Sequence, residues 1–193
     1  MSASPFRLTK GYSDDGGVST LTIVRWPGQT QQLLTLRAFT HVTDNTATFL
    51  AVAGVTPPSQ PAPPLVNTLT GVDQNKGKVI YNNRHVYPVT GQSLLPVLTG
   101  TAPGEVHTAP FGDEAYGRAY LRSADGRWKA LWTEPPLGPL DGHWQLYDLA
   151  ADRGETTDVS AQNPSVISTL VDQWKTYMSN VGGVEPLRPR GYY

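Results

Sequence analysis

Hydrophobic and polar positions change rhythm several times along this chain. Residues 20–26 (Thr-Leu-Thr-Ile-Val-Arg-Trp) are β-branched and aromatic and close on Pro27-Gly28, which predicts a short strand. From Phe39 to Ala53 the spacing turns helical, with Phe39, Val42, Thr46, Phe49, Leu50 and Ala53 on one stripe. Gly54 stands where a left-handed cap belongs, and Pro57-Pro58 forbid continuation. Thr43 and Asp44, near the start, are residue types that satisfy open backbone N–H groups. Five prolines in the nine residues 56–64 then predict an extended linker or surface loop. The polar stretch 67–88 predicts one strand near Lys78–Tyr81, and Ser93–Leu98 a short apolar turn or helix ending at Gly100.

The last third is patterned most clearly. Ala119–Ala124 and Arg127–Thr133 flank Asp125-Gly126, a two-residue hairpin signal. Trp128, Ala130 and Trp132 alternate onto one face of the second strand. A third strand is expected over His143–Leu149, followed by a turn at Asp152–Glu155. Asn163 is placed to begin a helix with Pro164 at its first position, where a missing N–H costs nothing. Val166, Ile167, Leu170, Val171, Trp174, Tyr177 and Met178 then form a continuous apolar stripe, and Gly182-Gly183 end it. Such a helix must lie on something apolar, and the Trp-rich face of the antiparallel sheet is the available partner. The fold class is α+β.

Composition narrows the function classes. At 193 residues the chain is one ordinary domain or two small ones. Its formal net charge of -1 provides no attraction for nucleic acid or for an anionic membrane. The absence of cysteine excludes disulfides, zinc knuckles, iron–sulfur ligation and a thiol nucleophile. The His residues 41, 85, 107 and 143 form no i,i+4 pair, so a helix-borne metal site is not expected. The opening residues lack the apolar run of a secretory signal, and no stretch approaches the ~18 apolar residues of a membrane helix. On this reading the chain is soluble.

Few residues stand out for chemistry. Lys10 precedes Gly11 and the loop Asp14-Asp15-Gly16-Gly17; a lysine held by a Gly-rich turn can offer a point charge to an anionic oxygen, but spacing alone reads it as a solvated surface lysine. Asp14-Asp15 suggests a metal clamp, but adjacent carboxylates in a glycine turn are expected to be solvated. Asp44-Asn45 near His41 invites the same thought, and helix capping accounts for Asp44 more simply. His107 and His143 have no nucleophile or carboxylate placed convincingly beside them, and no Gly-x-Ser-x-Gly elbow is present. Trp128, Trp132 and Trp144 are expected to fill a sheet–helix core rather than to form a sugar-stacking platform.

Five segments in order carry a family resemblance. They are Arg7-Leu8-Thr9-Lys10-Gly11-Tyr12 with Asp15-Gly16-Gly17; Val42-Thr43-Asp44 through Ala53-Gly54-Val55; Gly91–Leu98 with Gly100; Arg127-Trp128-Lys129-Ala130; and Trp144–Leu149 with Gly154-Glu155 and Asp158-Val159. Together they resemble the C-terminal part of a type I arylsulfatase. The resemblance implies a subdomain in which a four-stranded antiparallel sheet packs on a long C-terminal helix. It assigns residues 1–55 to the last strand and helix of the catalytic α/β domain, 56–90 to a Pro-rich linker or loop, 91–184 to the C-terminal subdomain and 185–193 to a tail.

The family hydrolyses sulfate esters with a formylglycine hydrate, made from Cys or Ser in a Cys/Ser-x-Pro-x-Arg motif, beside a calcium ion. The match implies a single site residue here, Lys10, which corresponds to the family's sulfate-contacting lysine. No metal ligand or cofactor site is implied within the chain. Asp15 replaces the family's Glu, and Ser19-Thr20 stand where Arg and an apolar residue are usual. Ala3-Ser4-Pro5-Phe6-Arg7 has the motif's spacing, but Ala3 offers only a methyl, which cannot become an aldehyde. The expectation is a sulfuric ester hydrolase fragment that is inactive alone. The alternative is an interaction module that self-associates through the 20–26 strand edge and the apolar face of the 39–53 helix.

Overall fold

Alternation in the tryptophan strand produces a sheet that is buried on both faces. The computed structural model describes residues 5–30, 35, 38–102 and 104–181. Its elements are α1 (Asp15–Val18), α2 (Thr43–Val52), β1 (Val79–Tyr81), β2 (Arg84–Val86), α3 (Leu95–Thr99), β3 (Phe111–Ala115), β4 (Arg118–Arg122), β5 (Trp128–Trp132), β6 (Gln145–Asp148) and α4 (Pro164–Val181). They fall into two compact units: the described residues up to Val24 with those from Thr108 onward, and Arg25–His107. Ala3, Gly182-Gly183 and the 185–193 tail lie outside the described residues.

In the first unit β3-β4-β5-β6 form an antiparallel meander. The register Leu121↔Ala130↔Leu146 puts three fully buried side chains in one row, with Ala119 beside them. On this face α4 lays Leu170 and Trp174, flanked by Val166, Ile167, Tyr177 and Met178. Burial of Leu170, nearly complete, stabilises by roughly 1.5–3 kcal/mol, and the half-buried members of the stripe contribute less. Gly112 in β3 is required there: a Cβ would sit 2.8 Å from the Tyr120 carbonyl oxygen and 3.1 Å from the Trp174 ring. The stripe, the strand alternation and the four-stranded α+β arrangement form as expected. The tryptophans are core: Trp128, Trp132 and Trp144 pack against this cluster, and the Trp132 indole donates to the Gly142 carbonyl at 3.1 Å.

Two local expectations in this unit are corrected. The β4–β5 connection is longer than two residues, because Ser123 N–H donates to the Trp128 carbonyl and Gly126 N–H to that of Ser123. Asp125 Oδ1 accepts from Ser123 Oγ and Arg127 N–H, so its side chain organises a wider turn that Gly126 closes at φ 70°. Residues 20–26 form no strand. They carry no regular structure and are largely solvated, with Leu21 92 % and Ile23 91 % exposed. A strand is stabilised by its ladder partners, and among the described residues none pairs with it. β3 was not anticipated. It joins β4 across Tyr116-Gly117, both left-handed at φ 57° and 75°, and a tyrosine there is an uncommon turn signal.

In the second unit the helical pattern yields a shorter helix with an unexpected buried side. Asp44 and Thr48 of α2 are buried, whereas Val42 and Phe49 of the apolar stripe are each 71 % exposed. The polar side wins because it serves backbone donors: Asp44 Oδ2 accepts from His41 N–H (2.7 Å), Asp44 Oδ1 from Gln92 N–H (2.8 Å) and Thr48 Oγ1 from Leu94 N–H (2.8 Å). No side-chain cap hydrogen bond forms at the start of α2, so Asp44 is not the cap expected of it; its carboxylate serves the chain before the helix and after it. α3 follows and ends at Gly100, left-handed at φ 75° as expected. β1 covers the expected strand, and β2 returns across Asn82-Asn83, both at positive φ. Part of the proline-rich stretch pairs along β1, through Ile80 N–H to the Gln60 carbonyl and Ala62 N–H to the Lys78 carbonyl.

Truncating Trp174 to Ala removes the largest side chain of the α4 stripe. It should cost about 3–5 kcal/mol, read as a lower urea midpoint with an unchanged slope.

Candidate functional site

The face of the sheet away from α4 carries Tyr120, Leu131 and Tyr147 around a central charged residue, Lys129. Residues 5–18 cover it. Their path is a tight coil, with Leu8 and Gly11 left-handed at φ 58° and 94°, so the chain reverses on either side of Thr9-Lys10. Gly16 N–H donates to the Arg7 carbonyl at 2.9 Å and Gly17 N–H to that of Asp14 at 2.8 Å. A Cβ at Gly16 would stand 2.2 Å from the Arg7 oxygen, and one at Gly17 2.1 Å from the Tyr12 oxygen, so both positions must be glycine. Lys10 sits on the outside of this coil, exposed. A shallow cavity of about 190 Å³ lies alongside, lined by Gly11, Tyr12, Gly17, Asp113, Tyr116 and Tyr120 among others.

The expectation that Asp14-Asp15 are solvated is overturned: each is 1 % exposed. Lys129 Nζ reaches Asp15 Oδ1 at 3.0 Å and Glu155 Oε1 at 2.6 Å, and the Asp15 N–H donates to Glu155 Oε2 at 2.7 Å. Lys129 is itself 1 % exposed and lies 5.1 Å from the Tyr120 ring centre. Arg7 pairs with Asp14 at 3.2 Å and donates to the Tyr147 hydroxyl at 2.8 Å and the Glu155 carbonyl at 3.3 Å. Arg118, paired with Glu134 at 2.8 Å, donates to the Gly11 carbonyl at 2.7 Å and stacks on the Tyr12 ring at 4.5 Å.

Burial alone would raise the Asp15 carboxyl, but the Lys129 ammonium, helped by the charge of Arg122, holds it below the usual carboxylate range. Burial prevails at Glu155 over Lys129 and at Asp14 over Arg7 and Lys129, so both are raised. Burial also pushes the Tyr147 phenol up to about 12.

Two histidines stand beside carboxylates, contrary to expectation. In the second unit His107 Nε2 lies 2.8 Å from Asp44 Oδ2, with the Phe39 ring 5.5 Å away edge-on. In the first, His143 bridges Asp141 (2.6 Å) and Asp158 (3.1 Å). Asp158 is 15 positions downstream, and its other oxygen accepts from Leu146 N–H at the edge of β6. Among the described residues no three His, Asp or Glu side chains are grouped to hold a metal ion. Asp14, Asp15 and Glu155 do not fit calcium, since cationic nitrogens occupy the space between them.

Sequence reasoning picked out Lys10 and missed Lys129, Glu155, Arg118 and Arg7 as parts of the site. Arg7, Lys129 and Glu155 were visible as members of the family-like segments, and Glu155 also as the end of a turn. The turn at Glu155 was legible, but not that Glu155 is left-handed at φ 53° and turns its carboxylate inward.

Asp15, with its lowered pKa, contributes stability that is present above its unfolded value and lost as pH falls through the folded one. Lys129→Met removes the main cation that opposes burial at Asp15 and Glu155, which then favour protonation more. The substitution should cost about 3–5 kcal/mol near neutral pH, and urea unfolding at about pH 5 should show a smaller deficit.

His143 is raised by its hydrogen bonds to Asp141 and then Asp158. Its contribution is complete below the ordinary imidazole value and is lost as pH rises through the raised one. His143→Gln should therefore lower the melting midpoint at about pH 5.5 and have little effect at about pH 9, by calorimetry.

No protein-family model matches the chain. An uncharacterized sulfatase of Schizosaccharomyces pombe is 25% identical over 181 residues, which is 94% of this chain and 28% of the relative. A solved structure from work on glycosaminoglycan metabolism by Bacteroides thetaiotaomicron, labelled 6S-sulf, superposes with a TM-score of 0.63 at 18% identity. The crystal structure of Ps i-CgsB, also solved with k-i-k-neocarrahexaose, superposes with a TM-score of 0.58 at 20% identity. Each superposition covers 90% of this chain and 32% of the other. The chain is thus related to sulfatases, shares the fold of part of these structures, and spans about a third of their length or less.

Proposed function

We propose that this sulfatase-related chain is the C-terminal segment of an arylsulfatase-like sulfuric ester hydrolase. Its contribution to the chemistry is the ammonium of Lys10, offered to a sulfate oxygen, and alone it does not turn over sulfate esters. The observation that carries this reading is the sequence match, which spans 94% of the chain but only 28% of the relative. By the family resemblance Lys10 is the one residue that corresponds to a sulfate contact, and its exposure on a coil tied to the sheet suits an anion contact. A lysine stabilises charge on a transferring sulfuryl group but supplies no nucleophile. The family draws its nucleophile from a formylglycine, and this chain holds no Cys/Ser-x-Pro-x-Arg motif from which one is made. Calcium in the family supplies Lewis-acid charge stabilisation, and the described carboxylates do not fit that ion. Catalytic groups that act as a unit fail together when some are missing.

A second reading, an interaction module, is favoured by Leu21 and Ile23, each more than 90 % exposed, and by Phe49 at 71 %. Apolar side chains grouped together in water mark a contact surface, and Leu21 and Ile23 stand two residues apart.

Purified chain, incubated with an aryl sulfate with and without calcium, should show no turnover above buffer. Robust turnover removed by Lys10→Ala overturns the first reading. Gel filtration of the same sample separates the second: a monomer at all loadings rules out self-association, and a concentration-dependent dimer supports it.

A further inference from the structure

We propose that Lys129 is a positioning residue for Lys10: with Asp15 and Glu155 it forms a buried ionic clamp that fixes the coil carrying Lys10 to the C-terminal sheet. The inference rests on the reading of Lys10 as an anion contact. Lys129, the second residue of β5, is 1 % exposed, so it cannot touch a ligand and acts only through what it holds. What it holds is Asp15, five residues beyond Lys10. Asp15 is fixed twice, its carboxylate by Lys129 and its N–H by the carboxylate of Glu155, so both the place and the direction of the backbone are set. The other fixings bracket Lys10 as well. Arg7, three residues before it, is tied to Tyr147 of β6, and the carbonyl of Gly11, one residue after it, is tied to Arg118 of β4. Three adjacent strands thus hold both flanks of one exposed lysine.

Stability does not account for this arrangement. Replacing a buried ionic group by apolar residues of similar volume is often neutral or favourable, and Leu131, Tyr120 and Tyr147 already provide an apolar setting. An ion cluster differs from an apolar patch in being satisfied in one geometry only. The coil has little order of its own, since α1 is four residues long, far below the length at which a helix sustains itself.

The test compares amide hydrogen exchange and response to inorganic sulfate in the wild-type chain, Lys129→Met, and the uncharged triple variant Lys129→Met/Asp15→Asn/Glu155→Gln. In the wild type, the amides of Asp15 to Val18 should be protected to within about tenfold of those in β5. In both variants, exchange over residues 11–18 should accelerate at least about tenfold while α4 and β4–β5 keep their protection. Amide shifts of Lys10 to Tyr12 on sulfate titration should weaken about tenfold in the triple variant even where its melting midpoint matches the wild type. A wild-type coil that exchanges freely, a coil unchanged in the variants, or acceleration spread evenly over the whole sheet overturns the clamp. If Lys129→Met does not fold, the triple variant and the wild-type measurement still decide. A wild-type chain without a sulfate response removable by Lys10→Ala, but with the exchange pattern intact, instead overturns the role given to Lys10 and leaves the clamp holding a coil of other purpose.

Discussion

The first unit depends on an ammonium group held out of water. Lys129 projects from the central strand pair onto the face opposite α4, and removing its charge from solvent is costly unless matching carboxylates come with it. They come from two distant places, Asp15 at the start of the chain and Glu155 after the last strand. Meeting that one requirement draws the N-terminal coil over the sheet, turns the loop after β6 inward, and leaves Glu155 in a left-handed conformation that few glutamates adopt. The sheet is thereby closed on both faces by different physics. Non-directional burial of Leu170 and Trp174 covers one, and a set of charges and hydrogen bonds with fixed geometry covers the other.

That difference bears on function. A greasy face tolerates sliding and repacking, whereas an ionic face permits one registration. Lys10 stands on the segment registered by ions, between an arginine anchored to Tyr147 and a carbonyl anchored to Arg118. In a sulfate ester site the transferring group carries charge on oxygens whose positions change little, so a cation serves best when it is already in place. The relatives that span this chain are about three times its length or more. On the proposed reading the reactive groups belong to that additional length, and this segment contributes placement.

The second unit repeats the theme on a smaller scale. Helix α2 presents polar Asp44 and Thr48 inward, where they receive the N–H groups of residues 92 and 94, while Phe49 stays in solvent. Unmade backbone hydrogen bonds in a buried segment cost more than an exposed phenyl ring, so the polar side prevails. Gly91 makes the approach feasible, since a Cβ there would lie 2.2 Å from the Thr43 carbonyl.

Local rules in the sequence determined the elements whose stabilisation is local or repetitive. These include the α4 stripe with Pro164 at its head, the alternation of Trp128, Ala130 and Trp132, the third strand, and the glycines at 54 and 100 that end short helices. The family resemblance, not these rules, singled out Lys10 and pointed to sulfatases. Only the tertiary structure decided that Asp14-Asp15 are buried, that Glu155 faces inward, that His107 and His143 meet carboxylates, and that 20–26 forms no strand. A period of 3.6 or 2 states which residues share a face, whereas a charge at one position finds its partner more than a hundred residues away only after the chain has folded. The same holds for a strand, whose pattern is its own but whose existence belongs to its neighbours.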